Sequence, residues 1–361
     1  MSLKKIAELT GTSLSTVSRV LNDPDHKCNE PGLSEKIWET ADSLHYLPNA
    51  AARSLRLGAP DESPRFTVDL FLTRFASIDQ DLFFRELFGH VKEELLQHNC
   101  LPGKILTSLD IMELQNRANT KNPVPYKPAQ KVLSEQSIKP AAFISKKHNT
   151  GLIILGKCPH EFVPSLKKRY GCLVGIDRNP TEYEYDEVIC NGTTAAELAV
   201  EHLITLGHRD IAYIGDCTHE TRYIGYYQAL INHKIPLNYS RVYPTDQSRE
   251  EGFRTMAALL ESPQRPTAVF CANDCTALGV LDALRKHKKR GYLPSIISID
   301  NIRDSEKTVP MLTTIDIPKK EMAHLALTLL LDRKNGYHEE YARIELPCRL
   351  IERESCTYPP Q

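Results

Sequence analysis

Apolar residues recur every three or four positions through the first fifty residues, then switch beyond residue 65 to short solid runs separated by amphipathic stretches. In LKKIAELTGTSLSTVSRVLN (3–22), Ile6 and Leu9 supply the apolar face of a first helix that Ser2 can cap. Gly11-Thr12-Ser13 makes a turn, and Gly11 falls where the chain needs φ > 0. A second helix over about 14–21 buries Val17, Val20 and Leu21 and turns Leu14, Ser15, Ser18 and Arg19 outward. A third, over about 33–44, starts just after Pro31 and carries Ile37, Trp38, Ala41 and Leu44, enough to close a three-helix core. Small Ala7, Gly11 and β-branched Val17 have the spacing of a helix-turn-helix, whose second helix enters the DNA major groove.

After a polar break, GAPDESPR (58–65), strand-like runs appear at VDLFL, KILTSL, GLIILG, LVGID, IAYIG, AVFCA and IISID. Between them lie helical patterns at 83–98, 194–207, 249–262, 274–287 and 319–333. Apolar strands alternating with helices predict parallel sheets covered on both faces, here two sheets meeting at a cleft. No G-x-G-x-x-G or P-loop follows a strand, which argues against a nucleotide cofactor.

Composition narrows the function classes. The chain has 361 residues, too many for one small core, so two or three domains are expected. No apolar h-region opens it and no run reaches membrane-spanning length, which predicts a cytoplasmic protein without a membrane partner. Ten cysteines form no C-x-x-C pair; Cys271 and Cys275 only flank Asn273-Asp274, and the set reads as buried free thiols. Thirteen histidines show no metal-ligand spacing with acids or cysteines, so no metal, no catalytic residue and no cofactor is expected. The first 58 residues carry seven bases against seven acids. Because DNA attraction grows with the phosphates neutralised, such a head needs a second copy.

TVSRVLN followed by YLPNAAARSLR resembles the DNA-binding head of the LacI/GalR family of bacterial transcription regulators. The resemblance implies base contacts from Leu14, Ser15 and Arg19, and phosphate contacts from Thr16, Ser18 and Asn22. It also implies a hinge helix over about 49–57 in which Asn49, Ala52 and Leu55 reach the minor groove, Leu55 as a wedge. The stretch DPDHKCNEPGLSEK departs from the family, lacking its Val-Ser start to the third helix.

ELAVEHLITLGHRDIAYIG, PTAVFCANDCTALGVLDAL, PMLTTIDIP and LIERES are similar to blocks of that family's periplasmic-binding-protein-like core; the match is thin over 100–150. The fold class implied is an all-α helix-turn-helix head plus an α/β core of two Rossmann-like subdomains. The corresponding domains are a head at 1–57, a linker at 58–65, one subdomain at 66–177 plus 318–336 and another at 178–317 plus 337–356. Crossings between subdomains are placed near Asp177, Ile317 and Tyr337. The resemblance makes Arg222, Asn273 and Asp300 the effector-binding residues, at strand ends or a helix start, with Asp274 a structural N-cap. The pocket aromatic of the family is replaced around Thr245-Asp246-Gln247. GLIILGKCP and EYDEVICN point toward the branch of galactose and evolved-β-galactosidase regulators.

The function implied is a repressor whose affinity for a near-palindromic double-stranded DNA operator is set by a sugar or glycoside between the subdomains. LIERESCTYPPQ carries no leucine-heptad tail, so a homodimer is expected. A regulator answering to a protein co-regulator, and an enzyme on the same α/β core, are the alternatives.

Overall fold

The computed structural model describes residues 3–22, 28, 32–43, 66–73, 81–112, 149–177, 179–181, 183–218, 220–287 and 292–360. Asn49, Ala52 and Leu55, the hinge and the 58–65 linker lie outside the described residues. The chain divides into two compact units, Met1–Pro64 and Arg65–Gln361.

The first unit holds α1 (Leu3–Thr10), α2 (Leu14–Asn22) and α3 (Leu33–Ser43). Ile6, Ala7, Val17, Val20, Leu21, Ile37 and Ala41 form its core, with Trp38 partly buried against them. Gly11 adopts φ 71°, and the Thr12 amide donates to the Ala7 carbonyl at 3.1 Å, closing the turn. Leu9 corrects the expectation for α1, because it is 52% exposed. Ile6 and Thr10, four residues apart, set the inward stripe, and Leu9 falls outside it. Thr10 is tolerated inside because its hydroxyl donates to the Ile6 carbonyl at 2.7 Å.

The second unit contains two six-stranded sheets. The first is built from β1 (Thr67–Leu72), β2 (Leu101–Thr107), β3 (Thr150–Leu155), β4 (Cys172–Asp177), β5 (Asp186–Ile189) and β11 (Arg343–Glu345), ordered β11-β5-β4-β3-β1-β2 and parallel throughout. The second contains β6 (Ile211–Gly215), β7 (Val242–Pro244), β8 (Ala268–Cys271), β9 (Ser295–Asp300), β10 (Thr313–Asp316) and β12 (Arg349–Ile351), ordered β12-β10-β9-β8-β6-β7. Only β12 runs antiparallel, against β10. Central strands are buried along nearly their whole length, as the solid apolar runs foretold.

Helices α4 (Leu82–Gln97), α5 (Val163–Arg169), α6 (Gly192–Thr205), α7 (Thr221–Asn232), α8 (Arg249–Glu261), α9 (Asp274–His287) and α10 (Lys319–Asn335) cover the sheets. Helix α10 packs on α4 and the first sheet, and α6 packs on the second. Two of the three crossings fall elsewhere than expected. Because β5 pairs with β4, the chain leaves the first sheet after Ile189, not near Asp177. Because β11 pairs with β5, the final passage lies at 346–348, not near Tyr337. Both errors arise from strands of three or four residues, too short to show a periodicity.

Helices α8 and α9 approach closely at two glycines. A Cβ on Gly279 would fall inside the Arg249 carbonyl oxygen, and one on Gly252 inside the Thr276 carbonyl oxygen. Gly279→Ala is therefore expected to lower stability by about 1–3 kcal/mol through overpacking. A urea midpoint equal to that of the parent would show that these helices part without cost.

Candidate functional site

Two surfaces carry candidate chemistry, one on each unit. On the first, Ser13 caps α2: its Oγ accepts the Thr16 amide at 3.1 Å and lies 2.7 Å from Ser15 Oγ and 2.9 Å from Thr16 Oγ1. With Val17, Val20 and Leu21 turned inward, the opposite face presents Leu14, 48% exposed, together with exposed Ser15 and Arg19. Thr16 and Ser18 are half-buried beside that face. Asn22 ends the helix, and its side chain lies outside the described residues. The three residues expected at bases thus share one exposed face.

On the second unit a cavity of about 470 Å³ opens at the carboxyl ends of β3, β4 and β6, the usual ligand position in open α/β sheets. The first subdomain lines it with Phe84, Lys157, His160, Asp177, Asn179 and Glu184, and the second with Asp216, Glu220 and Arg222. Its volume suits a small molecule. Asn179 joins the two sides: its Oδ1 accepts the Thr221 hydroxyl at 2.8 Å and the Thr221 amide at 3.2 Å, while its Nδ2 donates to Asp177 at 3.3 Å. Glu184 pairs with His160 at 2.7 Å, and Asp216 accepts the Thr218 amide and hydroxyl.

Arg222 is 1% exposed. Its Nε donates to Glu220 Oε1 at 2.9 Å and its Nη2 to Glu220 Oε2 at 2.7 Å, a two-pronged pair. Its Nη1 donates to the Ala272 carbonyl at 2.6 Å and its Nη2 also to Gln247 Oε1 at 2.8 Å. Burial opposes the charge, but the attraction of Glu220 and its hydrogen bonds outweigh that, and the pKa rises further. Gln247, in the stretch where the family's pocket aromatic is replaced, is buried, with φ 67°.

Of the three residues expected at an effector, Arg222 alone lines the cavity. Asn273 is buried behind it, where its Oδ1 accepts the Thr276 amide at 2.9 Å and hydroxyl at 2.7 Å, and its Nδ2 donates to the Gln247 carbonyl. Asp300 ends β9 with φ 128° and is 1% exposed; its charge acts on Arg222, and its carbonyl accepts the Lys319 ammonium. The expected capping role of Asp274 also needs correction. It is the first residue of α9, with Asn273 supplying the cap, and it instead ties β9 to β10 by accepting the Ser298 and Thr314 hydroxyls and the Ile302 amide. Burial and the charge of Asp300 push its pKa up to about 7.

Sequence reasoning missed Asp177, Asn179, Glu184, Asp216 and Glu220. Asp177 and Asp216 each end or follow an apolar strand, the signal already used for Asp300; Glu220 carries no comparable signal. No group of described residues could hold a metal, and no described helix is long and apolar enough to cross a membrane.

A helical head with an exposed second helix, joined in one chain to a two-lobed unit with a polar cleft, marks a regulator that couples a small molecule to DNA. Residues 200–356 match the periplasmic binding protein-like domain. The HTH-type transcriptional repressor PurR of Shigella sonnei (strain Ss046) is 30% identical over 99% of this chain and 98% of its own length. A LacI family regulator from Enterococcus faecium, solved with bound ribose, is 25% identical with a TM-score of 0.64 over 82% of this chain and 100% of that one. The lac repressor dimer bound to operator and the anti-inducer ONPF shares the fold, with a TM-score of 0.63, 20% identity and coverage of 99% of both chains. The chain belongs to the LacI/GalR family of transcriptional regulators. Its relatives are transcriptional regulators and not enzymes.

Replacing Glu220 by Gln leaves the Arg222 guanidinium buried without its counter-charge. Breaking a buried pair from one side costs about 3 kcal/mol or more. Urea denaturation of Glu220→Gln should show that loss; an unchanged midpoint would mean the pair contributes nothing net.

Proposed function

We propose that this protein is a homodimeric repressor gated by a neutral sugar or glycoside held between its two subdomains. The observation that carries this reading is the cavity itself. Its walls offer the carboxylates of Asp177, Glu184 and Asp216 as acceptors for hydroxyl protons, while Glu220 already neutralises Arg222. Lys157 and His160 line the same cavity, so the walls offer donors beside these acceptors, and a polyol, whose hydroxyls both donate and accept, matches them. Ribose in the Enterococcus faecium relative supports the same chemistry. Asp177 and Asp216 are assigned direct contact, while Arg222, its donors largely engaged by Glu220, Gln247 and Ala272, shapes the wall with Asn273 and Asp300 behind it.

In this reading Leu14, Ser15 and Arg19 read bases, Thr16, Ser18 and Asn22 hold phosphates, and Asn49, Ala52 and Leu55 belong to a hinge that enters the minor groove. A hinge of nine or so residues is too short to be helical alone and needs DNA and its partner to form. The effector changes the angle between subdomains and so the spacing of the paired hinges. Couplings of this kind amount to about 1–3 kcal/mol, or about 5–150-fold in operator affinity.

A thermal-shift panel of ribose, galactose, lactose and cellobiose on the full chain tests the effector. One sugar should raise the midpoint, and Asp177→Ala should remove that rise; a hundredfold excess over Kd corresponds to about 2.7 kcal/mol. If no sugar moves the midpoint, the sugar reading fails in favour of a protein co-regulator. DNA selected by the parent protein from a random library tests the head. Arg19→Ala should lose about 1–3 kcal/mol of discrimination at one base pair of each half-site. Equal loss on all sequences would make Arg19 a phosphate contact.

A further inference from the structure

Two of the three segments that join the subdomains carry a cysteine. Cys190 directly follows β5, where the chain leaves the first sheet, and Cys348 directly precedes β12, where it enters the second sheet for the last time. The segments run side by side, because the Leu346 amide donates to the Ile189 carbonyl at 2.8 Å. Cys190 is fully buried in the main core, and Cys348 is packed against that core but partly exposed. The Cys190 thiol lies beside Cys348 and lowers the pKa of Cys348 against the burial that raises it. Elsewhere burial pushes Cys158 and Cys356 up to about 12 and Cys217 up to about 11.

We propose that Cys190 and Cys348 form a reversible disulfide across the subdomain junction, and that this bond alters operator affinity. One thiol is accessible and activated, and the other is buried within reach to resolve it, the arrangement of a redox-sensing pair. The oxidant is a peroxide. The Cys348 thiolate attacks one peroxide oxygen, the O–O bond breaks, and the released hydroxide takes a proton to become water, leaving a sulfenic acid. The Cys190 sulfur then displaces that oxygen: the S–S bond forms, the S–O bond breaks, and the oxygen leaves with the Cys190 proton as a second water. A dithiol reductant returns two electrons and two protons and restores both thiols.

The bond would staple the first and third crossings together, at the element ends that absorb φ/ψ changes when two lobes move. It also reaches the cleft, since the Cys190 amide donates to the Asp177 carbonyl at 3.2 Å. The effect on DNA rests on the reading above, in which the subdomain angle sets operator affinity.

The test oxidises the full-length protein with hydrogen peroxide, maps it by non-reducing peptide mass spectrometry, and measures its affinity for the library-selected DNA before and after dithiothreitol. A peptide linking Cys190 to Cys348 should appear, with an affinity change of about 5-fold or more that the reductant reverses. Cys348→Ser and Cys190→Ala should bind the DNA as the reduced parent does and ignore peroxide. Absence of the linked peptide overturns the proposal, as does a linked peptide with unchanged affinity or a change that persists in both variants. Failure of the reduced parent to bind any selected DNA would instead overturn the operator reading, and the linked peptide would still decide whether the bond forms.

Discussion

A single buried charge organises the second lobe of this regulator. Taking a guanidinium out of water costs several kcal/mol unless its donors and its charge are met. Arg222 is met from three directions: by Glu220 at the start of α7, by the Ala272 carbonyl just beyond β8, and by Gln247 on the loop after β7. These are the loops at the carboxyl ends of the second sheet, so satisfying one cation fixes one wall of the cleft. Asn273 and Asp300 belong to the same arrangement without facing the cavity, one through the Gln247 carbonyl and the other through its charge.

The opposing wall belongs to the first subdomain, and polar contacts cross between the two, the most buried being the Lys319 ammonium on the Asp300 and Asn301 carbonyls. Asn179 bonds Thr221 at the start of α7, and Glu86 Oε1 accepts the Arg303 amide at 2.8 Å. The Asn179 contact borders the cavity, and a neutral hydrogen bond of that kind is worth only about 1 kcal/mol net.

The departure around Gln247 shows how far resemblance carries residue roles. The family pattern led to Arg222 as a direct ligand-gripping donor set, yet here its donors are already engaged by Glu220, Gln247 and Ala272. The cleft instead presents the carboxylates of Asp177, Glu184 and Asp216 beside the Lys157 ammonium. Asp177 had been read only as a crossing point, because a sequence does not reveal which of several strand-end carboxylates two lobes will bring face to face.

Local patterning determined much of this protein without help. The Ala7-Gly11-Val17 spacing fixed the turn between α1 and α2, and solid apolar runs located the central strands, because both depend on neighbours a few residues away. Leu9 escaped that logic, since which side of a short helix is buried depends on where the next two helices lie. Strands β5 and β11 escaped it too: three or four residues become a strand only when a sheet edge supplies their partners. The ties of Arg222 to Gln247 and to the Ala272 carbonyl, the placing of Asp177 and Asp216 on one cavity, and the meeting of Cys190 with Cys348 were decided by tertiary structure alone. Cys190 and Cys348 are far apart along the chain, and only the folding of two lobes around a shared junction sets their separation.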